Sequence, residues 1–175
     1  MNKTLYIVFG LPGSGKTTVA KYLLDMLPKE EILHISADGI RKELFPVPEY
    51  SKKASKKVWE TCVNRAQEAM GVGKTIVWDA VFAHEYRRQE VKKLAEEGGY
   101  ETVFVLVTCD RDESIKSRLE ARRDDLSDAD YSIYCTLKEV FQTPEDPLVI
   151  QIDNSLDLES LISRINSTFP TLGNS

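Results

Sequence analysis

Gly10-Leu11-Pro12-Gly13-Ser14-Gly15-Lys16-Thr17 is the stretch from which the rest of the chain can be read. Its pattern, G-x-x-x-x-G-K-[ST], is that of a phosphate cradle. Glycines let successive backbone N–H groups turn onto phosphate oxygens, the lysine meets the β/γ charge, and the hydroxyl is placed for Mg²⁺. The flanks agree with this reading. Leu5-Tyr6-Ile7-Val8-Phe9 is an apolar run that predicts a buried strand, and Val19, Ala20, Leu23, Leu24 and Leu27 fall on one helical face after the loop. A helix from about Gly15 to Leu27 begins inside the cradle, so its unpaired N–H groups and positive dipole end face the anion. The candidate nucleotide-binding set is therefore Gly10, Pro12, Gly13, Ser14, Gly15, Lys16, Thr17 and the adjoining Thr18.

Four further strands alternate with helices. Ile32-Leu33-His34-Ile35 predicts the second strand and is followed by Ser36-Ala37-Asp38-Gly39-Ile40-Arg41. Ligands of parallel α/β sheets gather at the carboxyl ends of strands. Asp38 there has two readings: it accepts a proton from a substrate hydroxyl, or it caps the short helix from Gly39 to Leu44. Arg41, one turn on, is placed to hold an anionic part of an acceptor. His34 reads as a histidine packed within its strand. Thr75-Ile76-Val77-Trp78 predicts the third strand, with Asp79 at its end, where a carboxylate can support Mg²⁺ or its water shell; the alternative is a turn or cap residue. Val103 to Val107 and Leu148 to Ile152 predict the fourth and fifth strands. A last helix packs through Leu156, Leu158, Leu161, Ile162 and Ile165.

Between the fourth and fifth strands lies an arginine-rich helix from Arg111 to Arg123, followed by a helix opened by Ser127 as N-cap, with Tyr134, Leu137 and Phe141 facing inward. Arg111, Arg118 and Arg122 share one stripe. At least one of Arg118, Arg122 and Arg123 is expected to close over the transferring phosphate and stabilise its charge, within a small lid near 118–130. Lys52, Lys53, Lys56 and Lys57 crowd the start of a long helix from about Ser51 to Met70. They read as a solvated face, or as a contact for a polyanionic acceptor.

The whole chain, 175 residues and 42% hydrophobic, suits one domain with an ordinary core. A net charge of −5 disfavours a general nucleic-acid or anionic-membrane binder, while leaving room for a local basic site. Cys62, Cys109 and Cys135 have no C-x-x-C spacing and read as small core residues. No stretch has the length of a signal peptide or a membrane span, so a reducing cytoplasm is the expectation.

Five strands alternating with helices predict a parallel α/β sheet with right-handed crossovers. With the motifs laid out, the chain resembles the small P-loop kinases of the adenylate-kinase-like group, especially the branch holding polynucleotide 5′-hydroxyl kinases, seryl-tRNA(Sec) kinases and zeta toxins. The resemblance spans about residues 4–165. It rests on Gly10–Thr17, Ser36–Arg41, Trp78-Asp79-Ala80 with Arg87-Arg88, Arg118–Arg123 and Asp125–Asp130. It implies a three-layer α/β sandwich of the P-loop NTP hydrolase fold. It also implies ATP and Mg²⁺ as cofactors, Lys16 and Thr17 on the phosphates and the ion, Asp38 as catalytic base, Arg41 on the acceptor, Arg122 as a lid arginine beside Arg118 and Arg123, and Asp79 on the acceptor side or the metal.

Two departures from the family pattern bear on the acceptor. A single acid, Asp38, replaces an acidic pair, and Ala80-Val81 stand where several relatives have Thr-Asn. The expectation is γ-phosphoryl transfer from Mg-ATP to a hydroxyl of a small-molecule, nucleotide or nucleic-acid acceptor, by a monomer or small homo-oligomer. The alternative is a nucleotide-dependent ATPase switch acting on a protein partner. The lack of N-K-x-D, and of a glycine three residues after Asp79, favours the kinase.

Overall fold

The computed structural model describes residues 3–47, 49–120, 131–155 and 157–169. Arg122, Arg123, the cap expected at Ser127 and the inward Leu156 lie outside them. In chain order the elements are β1 (Thr4–Phe9), α1 (Lys16–Met26), β2 (Ile32–Ser36), α2 (Ala37–Leu44), α3 (Lys52–Gly71), β3 (Thr75–Ala80), α4 (Glu85–Glu97), β4 (Glu101–Thr108), α5 (Asp112–Glu120), α6 (Tyr131–Val140), β5 (Ile150–Asp153) and α7 (Leu158–Thr168).

The strands pair in the order β2-β3-β1-β4-β5, all parallel. β1 is central and apolar on both faces, as a strand covered by helices on both sides must be. Its period-two alternation divides the core. Leu5, Ile7 and Phe9 join Val58, Cys62 and Ala66 of α3 and Val91 and Ala95 of α4. Tyr6 and Val8 join Val19, Ala20 and Leu23 of α1 and Leu161 and Ile165 of α7. The expected three-layer α/β sandwich is the one observed. Truncating a fully buried member such as Leu23 to alanine costs about 2–5 kcal/mol.

Several local expectations change. β5 begins at Ile150 rather than Leu148, because the N–H groups of Leu148 and Val149 turn back to the Asp146 side chain and carbonyl. Leu148 is consequently exposed. Leu158 is exposed too: it is the first residue of α7, whose buried face starts one turn later at Leu161. Cys62 alone of the three cysteines is buried, while Cys109 is half-buried and Cys135 exposed on the outer side of α6. Leu137 is half-buried and lines a cavity, whereas Tyr134 is the buried residue of that helix. Among the described residues no helix is long and apolar enough to cross a membrane.

Candidate active site

The cradle joins the carboxyl end of β1 to α1. Gly15 takes the N-cap position with φ 97°, in the left-handed region open to glycine, and Gly10 and Gly13 also have positive φ. Gly10 meets a second demand, since a Cβ there would overlap the carbonyl oxygen of Val107 on β4. Lys16 is buried, and its ammonium donates to the Leu11 carbonyl at 3.1 Å, folding the side chain back over the loop. The Ser14 N–H donates to the same oxygen at 3.2 Å. Pro12, Gly13 and Ser14 are buried in the loop, and Thr17 and Thr18 are half-buried at the start of α1.

Asp79 lies within β3, not beyond it, opposite Val8 of β1 and Ser36 of β2. Its carboxylate is almost fully buried and gathers two partners. The Thr17 hydroxyl donates to Oδ1 at 3.4 Å, and His34 Nε2 lies 2.6 Å from Oδ2. His34, read from the sequence as packed within its strand, is partly buried and bonded to a candidate site residue. Parallel pairing puts the end of β2 beside the end of β3, and that register brings the two side chains within reach. Among the described residues no three His, Cys, Asp or Glu side chains are grouped to hold a metal. Mg²⁺ keeps several waters and binds through one or two protein oxygens plus phosphates. Thr17 and Asp79 are the protein oxygens that fit it.

On the other side of the cradle, α2 is capped by Ser36, whose Oγ accepts from the Gly39 N–H at 3.3 Å. The capping role is therefore Ser36's. Asp38 lines a cavity of about 420 Å³ that also holds Pro12, Lys16, Arg41 and Tyr50, with Ser132 and Thr136 of α6 on the far wall. Arg41 is braced at one end, where Nη1 donates to the Glu49 carbonyl at 2.7 Å and the guanidinium lies 4.7 Å from the Tyr50 ring centroid. Its Nε is buried and has no hydrogen-bond partner among the described residues. Ser55 is what α3 adds to this cavity. Lys53, Lys56 and Lys57 border a separate surface hollow with Glu49 and Glu60, and Lys56 is paired with Glu60.

The arginines divide. Arg111 is exposed ahead of α5, and Arg118 is bonded to the loops: Nη1 donates to the Gly13 carbonyl at 3.4 Å and Nη2 to the Asn154 carbonyl at 3.0 Å. Arg88 is a packing residue, buried with its guanidinium on the Phe82 and Gln142 carbonyls and on Glu85, while Arg87 stacks on Trp59. Sequence reasoning missed Asn154, Tyr50 and the contact of His34 with Asp79. For Asn154 a signal existed: a polar run at the carboxyl end of a parallel strand.

A parallel sheet in this order, with a phosphate cradle after its central strand and a buried acid on the neighbouring one, defines the class of the small P-loop kinases. Within that class the chain belongs to a family described as AAA domain, AAA_33, whose pattern matches residues 5–144. A probable adenylyl-sulfate kinase of Aeropyrum pernix is 22% identical over 160 residues, which are 90% of this chain and 87% of that protein. An unliganded sugar kinase from a Janibacter species superposes with a TM-score of 0.71 at 16% identity, over 99% of this chain and 97% of the other. The Mycobacterium tuberculosis APS kinase CysC, in complex with AMPPNP and APS, does so with a TM-score of 0.67 at 15% identity, over 97% and 98%. The likeness to these two structures is one of fold.

Proposed function

We propose that this single domain moves the γ-phosphoryl group of Mg-ATP onto a hydroxyl of an acceptor that fits, wholly or by its terminal unit, the cavity beside the cradle. One observation carries the reading: Lys16 and Pro12 of the cradle share that cavity with Asp38 and Arg41. A hydroxyl bonded to Asp38 then faces the phosphate end of a nucleotide seated in the loop. Asp38 takes the hydroxyl proton as the acceptor oxygen attacks, and Lys16 offsets charge on the transferring group and its leaving oxygen. Thr17 and Asp79 would hold Mg²⁺, which would supply charge neutralisation on the phosphates there. Arg41, which lines the same cavity, orients the acceptor through its guanidinium. Arg122, beside Arg118 and Arg123, is kept on sequence grounds as the cation that closes over the phosphoryl group.

The named relatives support a hydroxyl acceptor and differ over which one, adenylyl sulfate or a sugar. The test is transfer of labelled γ-phosphate to nucleosides, nucleotides, sugars, adenylyl sulfate and 5′-hydroxyl oligonucleotides. With the acceptor found, Asp38→Asn should lower turnover by about 10²–10⁴ and leave ATP affinity intact. Unchanged turnover would remove Asp38 as the base. Acceptor-independent release of phosphate would point instead to an ATPase switch.

A further inference from the structure

Asn154 follows β5, 140 residues along the chain from the cradle, yet its side chain is built into it. The residue is 8% exposed. Its Nδ2 donates to the Ser14 carbonyl at 2.8 Å, its backbone N–H donates to the Thr108 carbonyl at 2.8 Å, and its own carbonyl accepts from Arg118. Arg118 also reaches the Gly13 carbonyl, so two successive carbonyls of the loop are drawn to donors outside it. The fit leaves no slack, because a Cβ on Gly15 would overlap the Asn154 amide nitrogen.

A peptide unit is planar and trans, so the Ser14 carbonyl and the Gly15 N–H leave opposite edges of one rigid plate. Holding the oxygen fixes the direction of the N–H. We infer that Asn154 is a positioning residue for phosphate binding: by holding the Ser14 carbonyl it aims the Gly15 N–H into the cradle before any nucleotide arrives. The third glycine of the motif thus has a purpose besides its φ, which is to leave room for this amide. The inference rests on the reading of Gly10–Thr17 as a phosphate site. It goes further in assigning part of that site's pre-organisation to a side chain outside the motif. A free loop would have to orient the same N–H at the moment of binding, with a corresponding loss of affinity.

The probe is inorganic tripolyphosphate, which has no base or ribose and therefore reads the cradle alone. Calorimetric titration of the wild type, Asn154→Ala and Lys16→Ala gives affinities, and the Gly15 amide resonance reports its hydrogen bond to the anion through a downfield shift on saturation. Asn154→Ala should bind tripolyphosphate about tenfold more weakly and lose most of the Gly15 shift, with circular dichroism unchanged. Asn154→Ser, which leaves a smaller void, serves if the alanine variant does not fold, and the same results are expected of it. Wild-type affinity and a wild-type Gly15 shift in the Asn154 variant, beside weakened binding in Lys16→Ala, overturn the inference. Undiminished binding in Lys16→Ala as well would mean that the cradle reading itself has failed.

Discussion

The two sides of the candidate site share Lys16 and Pro12 and are held together by different means. The cradle is a matter of backbone: positive φ at three glycines, carbonyls pinned by Lys16, Arg118 and Asn154, and a helix N-terminus behind it. The cavity proposed for the acceptor is a matter of side chains, drawn from α2, Tyr50, α3 and α6, with Arg41 braced on the Glu49 carbonyl. A backbone cradle treats every triphosphate alike, whereas a wall of separate side chains can change one contact at a time. Substitutions on the two sides should therefore separate kinetically.

The largest separation is expected at Lys16. Lys16→Ala removes the buried ammonium that folds over the loop, so ATP affinity and turnover should fall together, turnover by about 10²–10⁴. Titration calorimetry and single-turnover rates check both. Retained ATP affinity would mean that the lysine does not belong to the donor side. Arg41→Ala comes next and tests the opposite side. Loss of a charged hydrogen-bond donor should raise the acceptor KM by about 10- to 100-fold and leave the ATP KM unmoved. A matching rise in the ATP KM would break the distinction between the two sides.

The same contrast decides what could be read from the chain alone. Gly10–Thr17 is contiguous, and its function depends on local backbone geometry, so eight letters and their apolar flanks carry it. Asp38 was open between base and cap because the choice depends on where Ser36 points; once Ser36 takes the Gly39 N–H, the capping role is filled. The partner of His34 is not legible in the sequence, because Asp79, 45 residues away, becomes a neighbour only through parallel pairing of β2 with β3. For Asn154 the polar run after β5 marks a strand end, but its partner is a backbone carbonyl 140 residues away, which the sequence does not identify. The five strands and most of the core are legible in the periodicity; strand order and the contacts that complete the site come from pairing and register.

A smaller effect distinguishes α6 from α3, both of which line the cavity proposed for the acceptor. Cys135 is exposed on α6, while Cys62 is buried on α3, where burial pushes its thiol up to about 12. At pH 8 a thiol reagent should modify Cys135 in the folded protein and reach Cys62 only on unfolding, since the thiolate is the reacting form. Mass spectrometry of peptides locates the adduct. Native-state labelling of Cys62 would mean that α3 opens locally.

The smallest effect concerns how α6 is tied to α5. Tyr134 donates its hydroxyl to Asp112 Oδ1 at 2.7 Å, and the Lys138 ammonium donates to both carboxylate oxygens at 2.9 and 2.8 Å. Bonding to Lys138 first, and to Tyr134 second, holds the Asp112 carboxyl below its usual value of 3.8. A depressed folded-state value stabilises the protein above the unfolded value, and the stabilisation is lost as pH falls through the depressed one. Lys138→Met should therefore lower Tm slightly at pH 7, and the difference from wild type should vanish once pH falls below the depressed value. A difference that persists in acid would assign the effect to packing over the Tyr134 ring, where the lysine also lies. Because α6 carries Ser132, Thr136 and Leu137 into the acceptor cavity, loosening this tie should raise the acceptor KM more than the ATP KM. Equal shifts in both would place α6 with the cradle, and the two sides would then be mechanically one.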